Sequence, residues 1–96
     1  MRRASNVDVN HAEIVQKLRG AGCAVEPRLA QVGHGVPDLL VGFRGHNILL
    51  EVKRPEFECR KKLTVDEQDW HDKWAGQVAI VTSFDEAMEA VLKVAL

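Results

Sequence analysis

Three residues in the middle of this chain have the types and spacing to do chemistry together: Asp38, Glu51 and Lys53. They stand at the outer ends of two apolar runs, Leu39 to Phe43 and Ile48 to Val52, joined through Arg44-Gly45-His46. That pattern predicts a β-hairpin. With the turn centred on Arg44-Gly45, Phe43 faces His46, and counting outward sets Asp38 across from Glu51. A register two residues away sets Asp38 across from Lys53 instead, and all three side chains still share one face. Facing carboxylates repel unless a cation lies between them. Their hard oxygens suit Mg²⁺ or Mn²⁺, and the hairpin offers no soft ligand. Lys53 lies about 7 Å along the strand from Glu51, placing a flexible ammonium where it can reach a phosphate oxygen or a water. Such a set suits metal-assisted phosphodiester hydrolysis.

Pro37-Asp38 followed by Glu51-Val52-Lys53 resembles the PD-(D/E)xK nuclease superfamily. The longer string from Gly35 to Gly42, the Glu51-Val52-Lys53 triplet, and Leu63-Thr64-Val65-Asp66-Glu67-Gln68 together look like its VRR-NUC branch. The resemblance implies a restriction-endonuclease-like α/β core, a small mixed sheet with helices on both faces. It implies a DNA endonuclease that uses Mg²⁺ or Mn²⁺, with Asp38 and Glu51 as metal ligands. The main-chain carbonyl of Val52 would add a third ligand, and Glu13 a direct or water-mediated one. Lys53 would orient water and stabilise phosphoryl charge, while the Gln68 amide would position phosphate or water. Glu13 also has two plainer readings: a capping partner three residues after Asn10, and a surface ion pair with Lys17. Small stand-alone relatives resemble junction resolvases, which implies branched DNA as partner and a two-fold homodimer whose symmetry matches a four-way junction. Flap or nick cleavage by the same chemistry, and a DNA-binding subunit without turnover, are the competing functions.

The elements that must position these residues are legible from periodicity. Residues 1–9 are expected to form an arm carrying Arg2 and Arg3. A helix is predicted from about His11 to Ala21, capped by Asn10, with Ile14, Leu18 and Ala21 as its apolar stripe. Cys23 to Ala30 reads as a strand that Pro27 confines to an edge or bends. Residues 31–35 read as a loop whose glycines admit a close approach of backbone to the site. Pro37 aims Asp38, and Gly42 is expected to thin the sheet beneath a helix. After a charged loop at 56–62, Thr64-Val65-Asp66-Glu67 spells a capping box, so a helix should run from Thr64 to about Ala75 and stop at Gly76. Trp70 and Trp74 share one side of it, as core or subunit contacts. Asp69 and His71 read as solvated residues of the same helix. Val78 to Val81 is a strand, connected so as to lie parallel to the hairpin's second strand. Ser83 to Glu86 suggests another capping box opening a last helix, with Met88, Val91, Leu92 and Ala95 as its buried stripe.

Ninety-six residues, 46% of them hydrophobic and 28% charged, suit one small globular domain spanning 1–96. The formal charge of −1 gives no global attraction to nucleic acid, but Lys53, Arg54, Arg60, Lys61 and Lys62 form a basic cluster beside the hairpin. Cys23 and Cys59 lack zinc-site spacing, and Cys23 reads as a small core residue. Two isolated thiols, with no leader or membrane-length apolar run, predict a reducing cytoplasmic setting and no membrane partner.

Overall fold

The computed structural model describes residues 6–54 and 62–96, with side chains from residue 9 onward in the first helix. Arg2, Arg3, Cys59, Arg60 and Lys61 therefore lie outside the described residues. The element order is α1 (Asn6–Gly20), β1 (Ala24–Glu26), a 3₁₀ turn (Leu29–Val32), β2 (Leu39–Phe43), β3 (His46–Val52), α2 (Val65–Lys73), β4 (Val78–Val81) and α3 (Phe84–Ala95). The four strands form one sheet in the order β1-β2-β3-β4. β1–β2 and β2–β3 are antiparallel and β3–β4 is parallel, giving the expected mixed sheet.

The hairpin register is the one counted outward from Arg44-Gly45: Phe43 pairs with His46 and Leu39 with Leu50. Arg44 and Gly45 both have positive φ, 52° and 83°, as a two-residue hairpin turn of the primed type requires. The alternative register, with Asp38 across from Lys53, does not occur. Alternation then divides the sheet into two unlike faces. One carries Leu39, Val41, Ile48, Leu50, Val52 and Val81, all buried against Ile14 and Leu18 of α1 and Ala87 and Val91 of α3. The other carries Leu40, Leu49, Glu51 and Lys53, and α2 crosses it without burying any residue of its own. Helices thus occupy both faces, but the hydrophobic core lies on one side and the polar chemistry on the other.

Several local expectations change. α1 includes residues 6–9, which were expected as an arm, and Asn10 lies inside the helix rather than capping it. The reason is that Asn10 falls on the same stripe as Ile14 and Leu18, turned inward, with an amide that meets main-chain carbonyls. Val15 joins the buried stripe, while Ala21, beyond the helix end, is exposed. β1 ends at Glu26, because Pro27 begins a turn that leads into the 3₁₀ segment; the edge position stands. Gly42 packs against the Asn47 side chain rather than a helix. α2 ends at Lys73, with Trp74 as its C-cap. α3 turns Phe84, Ala87, Met88, Val91 and Val94 to the core, leaving Leu92 40% exposed. Its start is half a capping box. Ser83 Oγ accepts from Glu86 N at 3.1 Å, but Glu86 Oε1 accepts from Thr82 N and Oγ1, one residue further back. Cys23 is a buried thiol, as expected. Among the described residues no helix is long and apolar enough to cross a membrane.

Candidate active site

The site is built where β3 leaves the sheet. Pro37 is buried, and fixes the chain's approach so that Asp38 sits just before β2. Asp38 Oδ2 accepts a 2.7 Å hydrogen bond from Val52 N, which closes the end of the hairpin and holds the carboxylate over β3. Within a strand, one residue's N–H and C=O leave by the same edge, so the Val52 carbonyl lies on the Asp38 side. Lys53 N, by alternation, points the other way and donates to Val81 O at 2.9 Å. Asn10 Nδ2 donates to Lys53 O at 3.1 Å and Thr82 O at 3.4 Å, pinning α1 to the ends of both β3 and β4.

Glu51 is the unusual group. It is only 3% exposed, and its Oε1 has no hydrogen-bond partner among the described residues. Its Oε2 lies 3.6 Å from Lys53 Nζ. Burial, first, and then the charges of Asp38 and Glu67 push its pKa up to about 9, against the pull of Lys53. Without a cation the protein therefore holds Glu51 as a neutral acid at pH 7. An unpartnered buried carboxyl oxygen costs stability, and such costs gather where function requires them.

Glu67 reaches this cluster from the first turn of α2. Its Oε1 accepts from Lys53 Nζ at 2.6 Å and from Thr64 N at 2.8 Å, while Thr64 Oγ1 accepts from Glu67 N at 3.2 Å. The capping box is therefore present, and one of its oxygens also binds the lysine. Burial raises the Glu67 pKa, but the bonds from Lys53 and Thr64 outweigh it and the net direction is down. The Lys53 ammonium loses hydration on burial, yet Glu67 and Glu51 together push its pKa up. α2 can come this close because Gly35, at φ +83°, has no side chain: a Cβ there would lie 2.2 Å from Asp66 O. The glycine loop does provide a close approach, but to the backbone of α2.

Asp38, Glu51, Val52 and Lys53 are thus brought together, while Glu13 and Gln68 pair with neighbours on their own helices. Glu13 is on the exposed side of α1, with its side chain 59% exposed and 3.4 Å from Lys17 Nζ. Gln68 is exposed on α2, donating Nε2 to Asp72 Oδ1 at 2.8 Å. Asp69 is solvated, 3.1 Å from Lys73. His71 is not: its Nε2 is buried without a partner among the described residues, and its ring lies edge-on to Trp70 at 5.7 Å. Burial, aided by Lys53, lowers the His71 pKa below its usual value against the pull of Glu67 and Asp72.

Whether these residues suit a divalent cation turns on Glu51. A buried oxygen with no partner, facing a second carboxylate, is a donor set with room for one positive charge. Among the described residues no group of three or more His, Cys, Asp or Glu is arranged to hold a metal ion. Mg²⁺ does not ask for such a cage. It commonly takes one or two carboxylates and completes its shell with water and substrate phosphate. The residues fit.

The fold and site define a small restriction-endonuclease-like α/β core with two acidic groups and a lysine at the ends of a hairpin. A solved structure described as a VRR_NUC domain matches it with a TM-score of 0.70 at 21% identity, covering 93% of this chain and 97% of that one. The chain has the fold of that domain. No protein-family model matches the sequence, and no curated protein does.

Proposed function

We propose that this protein is a Mg²⁺- or Mn²⁺-dependent DNA endonuclease. The observation that carries the reading is Glu51: a carboxyl buried beside Asp38 and Lys53, with one oxygen left unpartnered. Asp38, Glu51 and the Val52 carbonyl would hold the ion. Bound there, it would supply a water of lowered pKa and neutralise charge on the phosphoryl oxygen. Lys53 orients the attacking water and faces the charge that builds on the phosphate as one bridging P–O bond breaks. It need not remove the proton itself. Its ammonium is held by a hydrogen bond to the Glu67 carboxylate and lies 3.6 Å from Glu51, which keeps it charged at neutral pH. Gln68 and Glu13 would act from the periphery, on substrate or through water.

The groups brought together here, Asp38, Glu51 and Lys53, suit a phosphodiester rather than the edges of bases. DNA shape is the fitting target, and a four-way junction with two strands to cut suits a two-fold dimer. The apolar side of α2 favours self-association. Trp70 and Trp74 stack at 4.7 Å over a cleft of about 460 Å³ floored by Leu40 and Leu49, and Trp74 is 46% exposed. A gel of junction, flap, nicked and linear DNA in Mn²⁺ is expected to show preferred nicking of the junction. Sedimentation at micromolar concentration should give a dimer. Equal cutting of flap and junction would make this a general branched-DNA nuclease, and binding without cutting in any metal would leave a DNA-binding subunit.

A further inference from the structure

We propose that Glu67 is a positioning residue for Lys53, an inference that rests on the nuclease reading above. Among the described residues, Lys53 Nζ lies within ion-pair distance of two carboxylates, Glu51 at 3.6 Å and Glu67 at 2.6 Å. The shorter bond is to the residue outside the hairpin. A divalent cation held by Asp38 and Glu51 would repel the ammonium beside it and would occupy the Glu51 oxygens that otherwise attract it. Glu67 approaches from α2, and so keeps an anionic anchor on the lysine when Glu51 is engaged elsewhere. The anchor is rigid. The oxygen that receives Lys53 also receives Thr64 N at 2.8 Å, and Gly35 admits the α2 backbone to that position. The carboxylate that holds the lysine is therefore held in turn by the Thr64 main-chain N–H, a contact that does not depend on the Thr64 hydroxyl.

Two variants separate this from a structural role. Glu67→Ala removes the anchor and half of the cap. Thr64→Ala removes the Oγ1 half of the cap and leaves the Glu67–Lys53 bond and the Thr64 N–H in place. Both should melt lower than wild type. Only Glu67→Ala is expected to lose kcat, by about 10–100-fold, the usual range for a group that orients a metal-site residue, with KM for junction DNA little changed. Thr64→Ala should keep the wild-type kcat. A second readout needs neither DNA nor metal: ¹⁵N relaxation of the Lys53 ammonium should show it restricted in wild type and mobile in Glu67→Ala. If Glu67→Ala does not fold, Glu67→Gln removes the charge, keeps an acceptor for Thr64 N, and is read by the same two measurements. Wild-type kcat in the Glu67 variant, or an equal loss in Thr64→Ala, would overturn the proposal. If the wild-type protein cuts no DNA, the nuclease reading falls, and the ammonium mobility still decides whether Glu67 holds Lys53. Unchanged mobility would overturn the positioning role in either case.

Discussion

Asp38→Asn, Glu51→Gln and Lys53→Ala are each expected to lower junction cleavage by about 10²–10³-fold or more, the range for removing one preorganised charge from a transition state. The three act on one small volume and their losses should not add, since a site missing one ligand gains little from the others. Asp38→Asn keeps an acceptor for Val52 N, so its loss would reflect charge rather than a broken hairpin end. Glu51→Gln keeps shape and burial. Lys53→Ala leaves Glu67 and Glu51 without their shared cation and is expected to destabilise as well as inactivate. Glu13→Gln and Gln68→Ala should each cost less than about tenfold, below one factor of 1.4 kcal/mol in activation free energy. Both side chains are exposed and paired with neighbours on their own helices. Initial rates on one junction, with each variant's melting temperature beside them, check the whole series.

Without metal, Glu51→Gln should melt well above wild type at pH 7–8, and the gap should close in acid. The folded-state pKa of Glu51 is about 9, raised from 4.5 by burial and then by Asp38 and Glu67. Well below pH 4.5 the group is neutral in both folded and unfolded chains, and its ionisation takes nothing from stability. As pH rises above 4.5, the unfolded chain releases the proton and the folded chain retains it, so stability falls, and continues to fall until pH passes about 9. By pH 7 the loss is about 3 kcal/mol at 1.36 kcal/mol per unit, which corresponds to 10 °C or more in Tm for a domain this size. Glu67 has the opposite sign: its lowered pKa contributes stability above its unfolded value that is lost as pH falls through the folded one. Both proteins keep the Lys53 and Thr64 bonds that lower it most, so the difference between them is dominated by Glu51. Adding Mg²⁺ should raise the wild-type Tm by mass action and leave Glu51→Gln nearly unmoved. Parallel melting curves from pH 5 to 8 would mean that Glu51 is not an uncompensated buried acid.

The hairpin was readable because two independent constraints agree on it. A turn centred on Arg44-Gly45 sets Asp38 across from Glu51, and alternation keeps Asp38, Glu51 and Lys53 on one face even in the register two residues away, so only the choice of facing pair needed the structure. The parallel β4 followed from a short apolar run after a helix. Asn10 has the composition of a cap, an asparagine ahead of a helical stripe, although it lies inside α1. Only its spacing from Ile14 and Leu18, four and eight residues on, points inward. Glu67 was hidden for a similar reason. Its position three after Thr64 already accounts for it as a cap, and nothing local shows that the same oxygen meets a lysine fourteen residues away. Leu92 was placed in the core by its spacing, yet α3 is rotated so that Ala87 and Val91 face the sheet. The small side chain of Ala87 lets α3 pack closely, a tertiary choice that apolar periodicity does not encode. The paired carboxylates and lysine were thus legible, whereas the groups that hold them in place come from α1 and α2, across distances the sequence does not specify.

The most direct test of the central claim is a time course of junction cleavage by wild type and Glu51→Gln, run in Mg²⁺, in Mn²⁺ and in chelator. Wild type is expected to cut in either metal, to stop in chelator and to resume when Mn²⁺ is returned in excess. Glu51→Gln is expected to bind the junction and leave it intact throughout. Cleavage that persists in chelator, or that Glu51→Gln performs at the wild-type rate, would contradict the account.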